Sequence, residues 1–336
     1  MFDSIKGKKV LVTGHTGFEG SWLTVWLHLL GAKVYGYALP PAQGPTLYFL
    51  ADVKQLLKGE TLGDIRDQAA LQRVLRMVKP DMIFHLVGQA SASEARKMPV
   101  EAFDVNLMGT LSLMEALREA GRPCTCLYVS SEKAAAEQPD LYSASKAAAD
   151  TAADAYCRTF FGPEGLDIRV AGIRHGNTIG GGDFTEGRLI PECVNAAIAD
   201  ETLGIRAPAS SRPWQHILDP LAGYLTLAEK LATAAAATGC TIWNFAPPKG
   251  EEKRVGEVAD AFFDLWESGG WETTGSGEEG SKAIALDTSR SEEELGWRPR
   301  WDFDEALKRT VEWYKLFAAE GDPAPLTRKQ ITDFMA

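Results

Sequence analysis

Gly14, Gly17 and Gly20, spaced three apart, close an apolar run and open a helical one, and no other feature of the chain restricts its fold as strongly. The run before them, Lys9 to Thr13 (KVLVT), reads as a buried strand, and Gly17 to Leu30 reads as the helix behind it. Glycine has no Cβ, so it permits positive φ in a tight turn and lets backbone approach a diphosphate closely. The helix that follows presents unpaired N–H groups and the positive end of its dipole to the same spot. A strand–turn–helix unit of the Rossmann type is where this spacing has a use. Gly14, Thr16, Gly17, Phe18 and Gly20 are its candidate dinucleotide-binding residues.

The pattern continues down the first half. Lys33 to Ala38, Met82 to Val87, Thr125 to Ser130 and Asp167 to Ile173 read as strands, with helices at Gln68 to Val78, Val100 to Ala120 and Ser143 to Phe161. Short apolar strands alternating with helices predict an α/β fold, a Rossmann-type doubly wound parallel sheet with a smaller C-terminal substrate-binding lobe. We expect residues 1–176 to form the cofactor domain. Residues 177–336 should be mainly the lobe, with some segments returning to the first domain. Past Asn177 the regularity loosens into a turn at Gly180 to Asp183, helices at Leu189 to Ala199 and Pro220 to Ala237, and apolar pieces at Thr241 to Phe245 and Ala283 to Leu286. The polar, glycine-rich run Gly269 to Gly280 reads as a surface loop.

Composition narrows the partners. A net charge of −11 argues against nucleic acid or an anionic membrane as the main partner, while leaving room for local positive charge around a phosphorylated ligand. No apolar run reaches the roughly 18 residues a membrane span needs, and no secretory signal is evident. Five cysteines without a C-x-x-C pair read as reduced thiols of a cytoplasmic protein. His15 and His85 have no metal-ligand spacing and read as core histidines, so no metal is implied.

The stretch ending the second strand, Gly36 to Leu39, has neither an acid for an adenosine ribose nor an arginine for a 2′-phosphate, which favours NAD over NADP. Asp64 and Ile65 are candidate contacts for the adenine edge, with a helix N-cap the alternative for Asp64. Tyr142 and Lys146 form a Y-x-x-x-K at a helix start, four residues apart on one face. An ammonium beside a phenol lowers the phenol's pKa toward general-base range, and Ser131 at a strand end could bond the same substrate hydroxyl.

Together the glycine turn, Ser131 and the Tyr142–Lys146 pair resemble the extended short-chain dehydrogenase/reductase superfamily. More specific segments resemble its CDP-glucose 4,6-dehydratases: GHTGFEGSWL from Gly14, GYALPP from Gly36, GDIRD from Gly63, RHGNTIGGGD from Arg174, RLIP from Arg188, RPWQHILDP from Arg212 and WRPRW from Trp297. The resemblance implies a redox-neutral cycle. Tyr142, with Lys146 and Ser131, deprotonates a sugar 4-hydroxyl as hydride leaves C4 for NAD; water is then lost across C5 and C6, and the hydride returns to C6. Elimination needs a base near C5 and an acid near the C6 oxygen, and the positions implied hold Lys133 and Glu132, where glutamate replaces an expected aspartate. The segment from Ala134 to Leu141 is shorter than the family's loop.

Substrate contacts are expected from Asn177, Arg188, Arg212 and Gln89. A planar guanidinium fork matches diphosphate oxygens, and near Gln89 the chain has Ser93 where the family pattern carries arginine. The implied partner is a nucleotide-diphosphate sugar. The analogy further implies a homodimer, or a tetramer, seamed by the helices Val100 to Ala120 and Ser143 to Phe161. A 4-epimerase or 4-reductase on the same scaffold, and a non-catalytic nucleotide sensor, are the alternatives; Glu132 and Lys133 separate the first, Tyr142 and Lys146 the second.

Overall fold

The computed structural model describes residues 2–90, 92–234, 239–275 and 283–336. The first half supplies strands β1 (Lys9–Thr13), β2 (Lys33–Ala38), β3 (Gly59–Leu62), β4 (Met82–His85), β5 (Cys124–Val129) and β6 (Ile168–His175). The second half adds β7 (Asn177–Ile179), β8 (Thr202–Ile205), β9 (Ser211–Arg212), β10 (Trp214–His216), β11 (Thr241–Phe245), β12 (Lys253–Arg254) and β13 (Gly270–Thr273). The main sheet is parallel and runs β11-β6-β5-β4-β1-β2-β3, the doubly wound order with one strand added beyond β6.

Successive side chains of a strand face opposite ways, so a sheet covered on both faces needs apolar residues at every position. In β1, Val10 and Val12 enter one core with Trp22, Trp26 and Phe84, while Leu11 enters the other with Ile83, Leu113 and Tyr128. The helices Phe18–Leu29 and Leu218–Thr233 cover the first face. Gln68–Val78, Gly109–Ala120 and Leu141–Phe160 cover the second.

Three expectations need adjustment. The helix anticipated over Val100 to Ala120 runs continuously from Pro99 to Ala120 but widens into a π-helical turn at Asp104–Met108 between Pro99–Phe103 and Gly109–Ala120. The loop anticipated from Gly269 contains β13, which pairs in parallel with β8; residues 276–280 of that stretch lie outside the described residues. The helix expected to end at Ala237 ends at Thr233, and 235–237 also lie outside them. Among the described residues no helix is long and apolar enough to cross a membrane.

Candidate active site

A cleft of about 950 Å³ opens at the carboxyl ends of β1, β4, β5 and β6 and is closed from the other side by β7 and residues 183–214. Its floor is the glycine turn. Gly14 has φ 81°, and a Cβ there would stand 3.0 Å from the backbone of Leu86 and Val87. A Cβ on Gly20 would stand 2.1 Å from the Gly14 carbonyl oxygen, so the turn folds back on itself only without side chains. Gly17 caps the helix Phe18–Leu29, whose first N–H groups face the cleft lined by Gly14, Gly17, Phe18 and Gly20. This bare cradle at a helix start suits a dinucleotide diphosphate. Thr16 is not in the lining; its Oγ1 donates to Leu39 O at 3.1 Å and ties the turn to the end of β2. His15 is wholly buried, with Nε2 2.8 Å from Glu60 Oε1, and its ring fills the space a Cβ on Gly36 would need.

The second wall is the helix Leu141–Phe160. Asp140 caps it by accepting the Ser143 N–H at 2.8 Å, which sets Tyr142 in the first turn and Lys146 one turn on. Both side chains are buried and line the cleft. Lys146 Nζ donates to Val129 O at 3.0 Å, and a Cβ on Gly88 would stand 2.8 Å from it. Burial pulls the Lys146 ammonium down to about 8, against the pull of Asp150 and Glu19. The sequence leads one to expect Lys146 to lower the Tyr142 phenol. Instead burial pushes that phenol up to about 12, with the Ser131 hydroxyl opposing and the Glu132 charge adding to the rise. Desolvation dominates the phenol, while Lys146 Nζ is engaged with Val129 O.

Two residues that the sequence reading does not single out complete this wall. The π turn carries Asn106, whose Nδ2 donates to Ser145 Oγ at 2.9 Å and Gln89 O at 3.2 Å, while its Oδ1 accepts the Gln89 N–H at 2.9 Å. Extra residues in a helix turn often mark functional positions; nothing in the helical pattern of this segment sets Asn106 apart from its other polar residues. Asp150 stands a turn beyond Lys146 and accepts from Ser130 Oγ at 2.8 Å and Arg174 Nη2 at 2.7 Å.

Ser131 leaves β5 and caps a short turn, Glu132–Ala135, by accepting the Lys133 N–H at 3.1 Å. Its hydroxyl donates to Glu132 Oε2 at 3.0 Å. Lys133 Nζ lies 5.9 Å from the centre of the Tyr142 ring. Ser131, Glu132, Lys133, Tyr142 and Lys146 therefore meet in one cleft.

Opposite them, Asn177, Arg188 and Arg212 line the cleft, joined by Arg206 and His175. Asn177 Oδ1 is buried without a hydrogen-bond partner among the described residues. Arg188 pairs with Asp183 at 3.1 Å, and Arg212 donates to Ser211 O at 2.6 Å, its guanidinium pulled below the usual range by burial. Gln89 is absent from the lining although Gly88 and Ala90 are in it, because Asn106 clasps its backbone. Asp64 and Ile65 are outside the lining too. The Asp64 carboxylate is held low by Arg66 at 2.6 Å, Asp67 and not Asp64 caps the next helix, and Ile65 is a core residue packed on Gly109.

The model of the NAD dependent epimerase/dehydratase family matches residues 10–242. A CDP-glucose 4,6-dehydratase of Salmonella typhimurium is 35% identical over 98% of this chain and 97% of its own length. A dTDP-glucose 4,6-dehydratase from Streptomyces venezuelae, solved with NAD, superposes with a TM-score of 0.74 at 27% identity, covering 94% of this chain and 99% of that one. The fold is shared as well with a UDP-glucose 4-epimerase of Thermotoga maritima, TM-score 0.76 at 19% identity over 92% and 99% of the two chains. The glycine cradle, the cleft beside it and these likenesses agree: the chain belongs to the NAD dependent epimerase/dehydratase family.

Proposed function

We propose that the chain is a nucleotide-sugar 4,6-dehydratase that converts CDP-glucose to CDP-4-keto-6-deoxyglucose with NAD. The observation that carries the reading is the placing of Glu132 and Lys133 in the same cleft as Tyr142 and Lys146. A 4-epimerase needs only the second pair. Support for CDP-glucose comes from the 35% identity to the Salmonella enzyme.

NAD, when bound at the glycine turn, supplies the acceptor for the C4 hydride and its later donor to C6. Tyr142 takes the O4 proton, with Ser131 on the same oxygen. A phenol raised to about 12 is almost wholly protonated near neutral pH, so the Lys146 ammonium must favour the phenolate in the working complex. The 4-ketone so formed acidifies C5–H. Lys133 removes that proton, Glu132 protonates the departing C6 hydroxyl, and water leaves. Hydride at C6 and a proton at C5 restore the oxidation balance. Asn177, Arg188, Arg206 and Arg212 hold the sugar and diphosphate. The cofactor half is read as residues 1–176 and the substrate half as mainly 177–336, with β11 returning to the sheet.

We read the exposed apolar residues Met98, Val100, Met108, Leu141 and Phe160, on or beside the helices Pro99–Ala120 and Leu141–Phe160, as the seam of a homodimer. Sedimentation at micromolar concentration separates dimer, tetramer and monomer.

Incubation with CDP-glucose should yield a 4-keto-6-deoxy sugar, read by its absorbance in alkali. An isomeric hexose in its place would make the chain an epimerase. Tyr142→Phe should lower kcat by about 10²–10⁴.

A further inference from the structure

Beyond the reacting groups and the arginines the cleft has a further wall, made by the first turn of the helix Leu189–Ala199 and the end of β8. Leu189, Ile190, Ile205, Ala207 and Val255 make it mostly apolar, and Glu192 is the acid set into it. Arg188 caps that helix and Arg206 follows β8, so a diphosphate held by them lies directly beside this wall. The Glu192 side chain is half-buried and has no hydrogen-bond or ion-pair partner among the described residues.

The other acids of the cleft are engaged or open to water. Glu19 faces Thr178 and His175, Glu132 accepts from Ser131, and Asp183 pairs with Arg188. Glu94 is engaged, and Glu186 stands exposed on the loop before Gly187. Holding an ionised carboxylate half out of water without a partner costs free energy, and a donor on the ligand removes that cost. The diphosphate is not that donor, since it is negative too and its oxygens call for the arginines.

From this placement we infer that Glu192 is a specificity-determining residue for the nucleobase: its carboxylate accepts from the 4-amino group of cytosine and rejects uracil and thymine. The inference rests on the reading of the cleft as the site of a CDP-sugar. An ionised carboxylate only accepts, and cytosine offers an amino group at the position where uracil and thymine offer a carbonyl oxygen. Against those two bases the carboxylate meets another acceptor, which is a repulsive element as well as a lost bond. The apolar neighbours give the flat ring a surface to lie on. The helix fixes the arm: Glu192 N donates to Arg188 O at 3.1 Å, and Pro191 and Cys193 on either side are buried.

An acid in a first helical turn also steadies the helix through its dipole, and that role alone affects every nucleotide alike. The test is isothermal titration calorimetry of the NAD-saturated chain with CDP and with UDP, neither of which carries a sugar to turn over. The wild-type chain should bind CDP at least about 10-fold tighter than UDP. Glu192→Gln, whose amide both accepts and donates, should bring the two within about 3-fold of each other. Glu192→Leu should weaken CDP about 10-fold to 100-fold and leave UDP within about 3-fold of wild type. Glu186→Gln should keep the wild-type preference. Folded Glu192 variants that keep the full preference for CDP, or that lose CDP and UDP equally, overturn the inference and leave the CDP-sugar reading standing. A wild-type chain that binds CDP and UDP equally sinks both.

Discussion

Asp150→Asn is the substitution that best tests whether the buried charges behind Tyr142 and Lys146 act as one unit. Asp150 Oδ2 lies 2.7 Å from Arg174 Nη2, with the two side chains only 11% and 18% exposed. Asparagine keeps the shape and one acceptor oxygen but removes the counter-charge, leaving a guanidinium in a poorly hydrated wall. Removing one partner of a fully buried pair costs about 3–5 kcal/mol. The residual exposure puts this pair at the low end, about 3 kcal/mol. The same change strips the larger of the two charges that hold Lys146 up. From a starting value of about 8, half of Lys146 is protonated at pH 8. A further fall of about one unit would leave roughly a tenth protonated. Urea unfolding followed by tryptophan fluorescence reads the first effect, and kcat at pH 8 reads the second. Adding Arg174→Met to Asp150→Asn closes a double-mutant cycle, whose coupling should be about 1.5 kcal/mol or more. A stability loss under about 1 kcal/mol, typical of exposed pairs, together with additive effects, refutes the reasoning.

Gly20→Ala places a methyl 2.1 Å from the Gly14 carbonyl, so the turn must open; NADH binding, followed by fluorescence, should weaken at least tenfold (about 1.4 kcal/mol) while the chain stays folded. Arg212→Gln should raise KM for the nucleotide sugar about 10-fold to 100-fold and leave NADH binding unchanged, since a charge-assisted phosphate contact is worth roughly 1.5–3 kcal/mol. Burial lifts the Asp219 carboxyl from 3.8 to about 7, so its folded value exceeds its unfolded one. Its stabilising contribution is therefore whole below about pH 4 and is lost as pH rises through 7. Asp219→Asn should flatten this, changing the mutant-minus-wild-type difference by about 4 kcal/mol between pH 4 and 8 in urea melts; parallel curves would exclude a raised Asp219.

Legibility in the sequence followed how local each feature is. The strands Lys9–Thr13 and Lys33–Ala38 and the helix Gln68–Val78 fall on their expected bounds because periodicity and flanking turn residues settle them. The π turn at Asp104–Met108 does not show in the periodicity, since the residues on both sides remain helical and only Asn106's bonds to Gln89 and Ser145 explain it. The helix Phe303–Ala318 is legible in the same way: Leu307, Val311 and Tyr314 recur at three and four residues and are buried. Tyr142 and Lys146 were found by spacing, but their proton affinities were not, because burial is set by the elements that close over them. Asp64 is placed by position alone. It follows a strand, yet Arg66 two residues on satisfies it.

The division of labour across the cleft follows from where rigid backbone is available. Ser131, Glu132 and Lys133 leave the end of β5, and Tyr142 and Lys146 return on the next helix, so the proposed proton-handling groups share one short connection pinned at both ends by side-chain caps. That connection is bounded by Lys146 on Val129 O and by Ser130 on Asp150, which tie the helix back to the strand it came from. Arg188, Arg206 and Arg212 stand on separate segments that make no strand of the main sheet. Misplacing a reacting group by an ångström can cost a hundredfold in rate, whereas a phosphate contact tolerates a longer or shorter arm. Proton transfer is therefore best served by the short pinned stretch, and substrate anchoring can stand on loops. On this arrangement the proposed diphosphate contacts can shift with the arginine segments without disturbing the residues between 131 and 146. The reaction itself can change only through residues 131–146 or the charges packed behind them.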